Sequence, residues 1–331
     1  MSYHGRKRNV LVLTVIVFFV GAGFIPSTVG IKEEKTTFKE LKSPGYIQNL
    51  IDKASNGDTI YIPSGIYYEN IIINKKIRLI GEDMNTTIID GGNSGDVVRI
   101  ADEWIKIKGF TIQNSGDGFY DAGIDIDIDC NKNIITGNTI SNNSLGIHCY
   151  CDNGIYNTIS DNTISNNGIG ICGTGTIKSN TISNNGCGIQ GHGKIKGNNI
   201  SNNGCGIYGG ETIKNNIISN NGCGIHGGGT IKGNIILNNE YGINLSSSYF
   251  NYYHKPNTIK KNNFIDNTRD AFFFGFSFLN FWRRNYWDEP RNVPKVISGE
   301  IRTIMLFSVY IQWFDFDWFP AKEPYDIKVG I

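Results

Sequence analysis

The stretch Asn180-Thr-Ile182-Ser-Asn-Asn185-Gly-Cys187-Gly188-Ile189 decides the fold, because it returns along the chain. Asn162-Thr-Ile164-Ser-Asn-Asn167-Gly-Ile-Gly170-Ile171 precedes it, and Asn198-Asn-Ile200-Ser-Asn-Asn203-Gly-Cys205-Gly206-Ile207 and Asn216-Ile-Ile218-Ser-Asn-Asn221-Gly-Cys223-Gly224-Ile225 follow. Asn138 opens an earlier copy, Asn234 a later one, and Asn263-Phe-Ile265-Asp-Asn267 reads as a worn last copy. The first asparagines are spaced 24, 18, 18, 18, 18 and 29 residues apart, which predicts an 18-residue unit with loops inserted near both ends of the array. Isoleucine recurs three times per unit, at Ile182, Ile189, Ile195 and then Ile200, Ile207, Ile213. Gaps of 7, 6 and 5 residues fit no helical period. They fit three short strands per turn, each aiming one Ile inward, with Asn and Gly where the chain must bend through left-handed backbone angles. One such coil cannot bury its own Ile side chains, so it must stack on others. Stacked coils lie about 4.8 Å apart, and asparagines at equivalent positions can then bond to one another in ladders. The reading is all-β: a right-handed single-stranded parallel β-helix solenoid. A left-handed β-helix would want a strict six-residue aliphatic period.

Composition agrees. Of 331 residues, 41 are Gly, 41 Asn and 53 Ile, whereas Gly is ordinarily about 7% of a chain. All three are poor helix formers, which argues against a helical bundle. Charged residues at 18% with hydrophobics at 39% argue against disorder. A net charge of +1 gives no global field for nucleic acid or an anionic membrane.

Residues 1–30 stand apart from the fold. Arg6, Lys7 and Arg8 precede about sixteen mostly apolar residues, Val10 to Ile25, and then small and polar ones. This is the pattern of a secretory signal, or of a short N-terminal anchor, since a spanning helix wants about 20 apolar residues. Either reading predicts delivery outside the cytoplasm, secreted or held at the cell surface, with membrane contact only through this segment. Residues 31–44 read as a linker, 45–272 as the β-helix with its clearest repeats over 138–272, and 273–331 as a cap. Within 45–272, Ile47, Leu50, Ile51 and Ala54 space out a short amphipathic helix that would cover the open end of the core, as the terminal units of solenoids must. About ten coils are expected, a rod of roughly 50 Å. Trp282, Trp287, Trp313 and Trp318 all fall in the last fifty residues, an aromatic C-terminal cap for the last coil.

Ile47-Gln, Gly57-Asp-Thr-Ile, Pro63-Ser-Gly-Ile-Tyr and Glu69-Asn-Ile, followed by Asn-x-Ile-x-x-Asn-x-x-Gly-Ile repeats, resemble the NosD-type family of exported pectin-lyase-like β-helix proteins. The closing Arg284-Asn-Tyr-Trp-Asp288 and Phe316-Asp-Trp-Phe-Pro-Ala-Lys-Glu-Pro-Tyr-Asp326 are similar to the tail of archaeal members. The resemblance covers residues 45–326. It implies the fold and, by the family name, a periplasmic protein associated with copper-site assembly of nitrous oxide reductase. No family metal ligand matches a residue here, and a shared fold does not carry a function.

The strongest candidate site is Gly123-Ile-Asp125-Ile-Asp127-Ile-Asp129-Cys130 with Gly146-Ile-His148-Cys-Tyr150-Cys-Asp152. Alternation points Ile124, Ile126 and Ile128 inward with Cys149 and Cys151, and Asp125, Asp127 and Asp129 outward. Aligning Gly123, Gly146 and Gly170 puts Asp125, His148 and Cys172 in one outward column, Asp127 beside Tyr150, and Asp129 beside Asp152. Ligand binding is therefore expected at Asp125, Asp127, Asp129, Tyr150 and Asp152. A metal set is expected at Asp125, His148 and Cys172: calcium through oxygens, or copper or zinc through His and Cys. The alternative is a plain solvated strand face.

Other patterns carry less. Gly191-His192-Gly193 matches a motif of pectin-hydrolysing glycosidases, but those need a carboxylate pair, and only Asp161 and Glu211 are acidic between Asn153 and Asn239. His192 therefore reads as a turn residue. No Arg lies between Gly109 and Thr268, which excludes an Arg base on the central coils. Lys178, Lys196, Lys214, Lys232 and Lys261 share one repeat position and predict a basic stripe, either a binding surface for acidic polysaccharide or simple solvation. Cys187, Cys205 and Cys223 stack in the column of Leu145, Ile169 and Tyr241, two residues before the inward Ile. They are expected to face the core as free thiols, or to hold one bridge, since adjacent coils are within disulfide range. No constellation is strong enough to name a reaction. The expected function is a non-catalytic surface or binding protein, with polysaccharide or surface-layer components as partners. The alternatives are a carbohydrate-active enzyme, lyase or hydrolase, using the acidic face at 117–152, and a copper-handling accessory protein.

Overall fold

The computed structural model describes residues 43–149, 157–246, 257–275, 280–302 and 310–329. The expected signal or anchor over 1–30, and the linker up to residue 42, lie outside them.

Each turn of chain contributes three strands. In one unit these are Thr181–Ser183, Cys187–Gly191 and Gly193–Lys196, and each pairs in parallel with its counterpart one coil later. We call the three surfaces the Ser, Cys and Lys faces. Among the described residues the Ser face holds eleven strands, so the right-handed solenoid shows eleven coils there, one more than expected. The inward Ile triplets superpose: Ile182 pairs with Ile200, Ile189 with Ile207 and Ile195 with Ile213. All six are fully buried.

The paired asparagines divide the work at each bend. The first, such as Asn184 or Asn202, takes the left-handed conformation (φ 58° and 57°). The second, Asn185 or Asn203, is buried and builds the ladder. Its Oδ1 accepts both the backbone N–H and the Nδ2 of its counterpart in the preceding coil; for Asn185 bonding to Asn203 these are 2.9 and 3.0 Å. A second ladder runs from Asn138 through Asn162, Asn180, Asn198, Asn216 and Asn234 to Asn262 and Asn285. The buried ladder asparagines thus find their hydrogen-bond partners within the chain.

The last register differs from expectation by one residue. Asn234 bonds to Asn262, a spacing of 28, while Asn263 pairs with Ile235 on the Ser face. For the same reason the basic stripe continues from Lys232 to Lys260, not Lys261, and then to Arg283. The Asn262-Asn263 doublet offers two alignments to sequence reading, and only strand pairing chooses between them.

The ends are closed differently. The helix Tyr46–Lys53 buries Ile47 and Ile51 over the first coil. That coil satisfies both helix ends: Glu69 accepts the N–H groups of Ile47 and Gln48 at 3.0 and 3.1 Å, and Lys75 Nζ donates to the carbonyls of Ile51, Asp52 and Ala54. A carboxylate at the N-terminus and an ammonium at the C-terminus also suit the helix dipole. At the far end, parallel stacking runs past residue 272 through Arg269–Gly275, Phe281–Arg283 and Tyr286–Trp287. An antiparallel hairpin, Lys295–Arg302 with Tyr310–Asp317, follows. Trp282 and Trp287 fill the end of the core, with Trp287 stacked on Phe264 at 4.2 Å. Trp313 and Trp318 do not: they are 44% and 61% exposed, the first on the hairpin and the second just after it.

Candidate functional site

The Cys face carries the polar and aromatic side chains. Strand register sets Arg99, Asp125, His148, Cys172, Gln190, Tyr208, His226 and Asn244 in one column across consecutive coils. Asp125, His148 and Cys172 therefore share the column that the glycine alignment assigned them. Asp125 and His148 are bonded, with His148 Nδ1 2.7 Å from Asp125 Oδ1 and both side chains largely buried.

The rest of the acidic stretch behaves differently. Asp127 forms a two-pronged ion pair with Arg99, at 2.8 and 3.0 Å. Strand geometry stops at Ile126, so Ile128 is 55% exposed rather than inward, and Asp129 sits exposed in a turn with φ 68°. Alternation holds only while the strand lasts. Tyr150, Cys151 and Asp152 lie outside the described residues. Among the described residues no group of three or more His, Cys, Asp and Glu is arranged to hold a metal ion. Asp125 and Asp127 already have partners within the chain.

Sequence reading missed Phe119 and Tyr120. The segment 116–121 is pinned by Asp121, whose carboxylate accepts the Gly118 N–H at 3.0 Å, and by the Gly116 N–H donating to the Gly95 carbonyl at 2.9 Å. It lifts Phe119 and Tyr120 off the Cys face, 82% and 61% exposed. Their rings meet edge to face at 4.8 Å, and Tyr120 stacks on His148 at 5.8 Å. The available signal was two adjacent aromatics inside a Gly/Asp segment, where a core role is excluded by the turn. Together with Leu145, Ile169, Cys172, Gln190 and His192 they line an open groove of about 600 Å³. His192 is an exposed residue of the turn between Cys187–Gly191 and Gly193–Lys196. Burial pushes the Cys172 thiol up from its ordinary value.

Burial likewise pushes up Asp96, opposed by the Ala122 N–H that it accepts at 2.8 Å and reinforced by the nearby Asp125 and Asp121.

Cys187, Cys205 and Cys223 stack in direct register, in the column of Leu145, Ile169 and Tyr241. They do not join the core: all three are half-buried and lie outside the packed Ile cluster. The glycine between each Cys and its Ile sits where neighbouring coils approach closely. A methyl on Gly188 would stand 2.6 Å from the Gly206 carbonyl oxygen. Like Ile169 in the same column, they stay half-buried outside that cluster.

A right-handed parallel β-helix with an aromatic-flanked groove along one face is the class that these features define. Residues 96–227 match the family model described as right handed beta helix region. No curated protein matches the chain by sequence. In fold the chain is similar to the A-module of mannuronan C-5 epimerase AlgE6 of Azotobacter vinelandii. The TM-score is 0.54 at 17% identity, over 74% of this chain and 90% of that one. The A-module of AlgE4 from the same organism gives 0.54 at 18% identity, over 71% and 88%.

Proposed function

We propose that the chain is an exported polysaccharide-binding protein whose ligand lies along the Cys face, across the coils. The observation that carries this reading is the pair of exposed rings, Phe119 and Tyr120, beside a groove whose floor is a column of hydrogen-bonding side chains. Sugar rings present apolar C–H faces that stack on aromatics and hydroxyls that bond to His, Gln, Tyr and Asn. The column places one such side chain per coil at the strand spacing of about 4.8 Å, close to the advance of a saccharide chain. Asp125 and Asp127 are paired within the protein, so the groove is suited to a neutral or weakly charged chain. Export, read from residues 1–30, would bring the groove to envelope or extracellular polysaccharide. Calorimetric titration against a panel including a neutral glucan and mannuronan is the test. Phe119→Ala/Tyr120→Ala is expected to weaken binding at least tenfold with the fold retained. No binding by the wild-type chain to any member would sink the reading.

A second reading, a carbohydrate-active enzyme, is favoured by the Asp125–His148 bond. A carboxylate at Nδ1 orients an imidazole for proton transfer. On that reading, uronate polymers would gain unsaturated ends or change epimer ratio, and His148→Gln would abolish the product while sparing binding.

A further inference from the structure

The Cys187–Cys205–Cys223 column has no part in the saccharide reading, and its geometry is unusual. Neighbouring coils set Cys187 against Cys205 and Cys205 against Cys223. Cα atoms on adjacent strands are about 4.8 Å apart, inside the 4.4–6.8 Å range of disulfides. Cys187 and Cys223, two strands apart at about 9.6 Å, fall outside it. All three are free thiols and half-buried, so a small reagent can reach them. The central thiol stands between the other two, with the His226 ring nearby, while the Cys187 thiol donates to the Ile189 carbonyl at 3.5 Å. The two flanking thiols draw Cys205 well below the ordinary thiol value, and Cys205 together with burial pushes Cys187 and Cys223 up. Cys172 beside Cys187 and Glu240 beside Cys223 add further raising influences on the outer pair.

We propose that this column is a thiol–disulfide exchange site, with Cys205 as the attacking thiol, Cys187 and Cys223 as interchangeable resolving thiols, and a low-molecular-weight disulfide as substrate. The Cys205 thiolate attacks one sulfur of the external disulfide, forming a mixed disulfide and releasing one thiolate. Cys187 or Cys223 then loses its proton and attacks the Cys205 sulfur, forming a disulfide within the column and releasing the second small thiol. Two protein thiols are oxidised, one external disulfide is reduced to two thiols, and nothing else is consumed. The thiol left over still lies beside Cys205. It can displace the first partner, so the bond moves along the column while always retaining Cys205. A thiolate is the attacking species in every step, and the central position, flanked by both other thiols, is the one that either can resolve.

The test treats the full chain with oxidised glutathione, traps remaining thiols with N-ethylmaleimide in acid, and maps tryptic peptides, which separate at Lys196 and Lys214. Linked 187–205 and 205–223 peptides are expected, with two thiols lost per chain and no 187–223 link. Cys187→Ser should still give 205–223, Cys223→Ser should still give 187–205, and Cys205→Ser should give neither. Independently of any variant, iodoacetamide labelling of wild type from pH 8 to pH 5 should slow less than tenfold at Cys205. An ordinary thiol of pKa about 8.5 slows roughly a thousandfold over that interval. A 187–223 link, an unchanged loss of thiols in Cys205→Ser, or a Cys205 labelling rate that falls in step with Cys130 would each overturn the proposal.

Discussion

Asp317 ends the longer asparagine ladder. Each Asn gives its backbone N–H and Nδ2 to the Oδ1 of the next, so the last member, Asn285, needs an acceptor that requires no successor. A carboxylate has only acceptors. Asp317, fully buried, takes Asn285 N and Nδ2 on Oδ2 at 2.9 and 3.0 Å, together with Trp287 Nε1 at 3.2 Å. Asp317→Ala orphans three buried donors and is expected to cost about 3 kcal/mol or more. Asp317→Asn retains an acceptor oxygen and should cost less than half as much, both read as shifts in urea midpoint. Asp315, two residues earlier, is a contrasting case. Burial pushes its pKa up, against the lowering effect of hydrogen bonds from Asn280 Nδ2 and Trp282 Nε1 at 2.8 and 3.3 Å. The folded state therefore holds the proton more tightly than the unfolded state. The stability this gives is complete below the unfolded carboxylate value and is lost as pH rises through the raised folded value. Asp315→Asn should accordingly gain melting temperature relative to wild type as pH rises from 4 to 7. A constant difference across that range would show that the carboxyl is not linked to folding.

At the scale of the element, the 18-residue unit depends on two kinds of glycine that composition alone does not separate. Gly206 lies where the next coil passes: a methyl there would be 2.6 Å from the Gly224 carbonyl oxygen, with no flexible side chain to yield. Gly197 lies at a bend with φ 67°, and equivalent bends are held by Ser179 at 54° and Asn215 at 53°. Gly206→Ala is expected to destabilise by about 1–3 kcal/mol, the usual cost of an overpacked site. Gly197→Asn should change stability by less than about 1 kcal/mol, because Asn tolerates the left-handed region and narrows the unfolded ensemble. Chemical denaturation of the two variants separates packing glycines from conformational ones. Equal effects would contradict this division.

Across the whole molecule, eleven coils present three faces with separate characters. The Lys face displays the basic stripe from Lys178 to Lys260. The Cys face gathers the groove, the Asp125–His148 pair and the thiol column, because its outward positions vary from coil to coil, whereas one column of the Ser face repeats Ser from Ser141 to Ser219. A column on a stacked solenoid brings together residues some twenty positions apart, such as Asp125 and His148, without any loop having to fold back. It also spreads a binding surface along the rod, which is the geometry a polymer ligand would use.

The sequence by itself determined the coil, its handedness and its core. Period-18 recurrence of Ile182, Ile189 and Ile195 leaves no other way to bury three Ile per unit, and the glycine alignment of 123, 146 and 170 was enough to put Asp125, His148 and Cys172 in one column. Where a unit is worn or interrupted, sequence lost its grip: the choice of Asn262 over Asn263 and of Lys260 over Lys261 belongs to strand pairing across the inserted residues. Tertiary structure alone decided which side the cysteines face. Simple alternation sends Cys205 inward with Ile207, but in the stacked coils the thiols stay half-buried and outside the packed Ile cluster. It also decided that Phe119 and Tyr120 flank the groove, since Asp121 and Gly95, which fix their turn, are set by contacts between coils and by a local side-chain bond rather than by any periodic signal. Periodic burial is written in residue order; the outward faces depend on how neighbouring coils meet, and that is visible only once they are stacked.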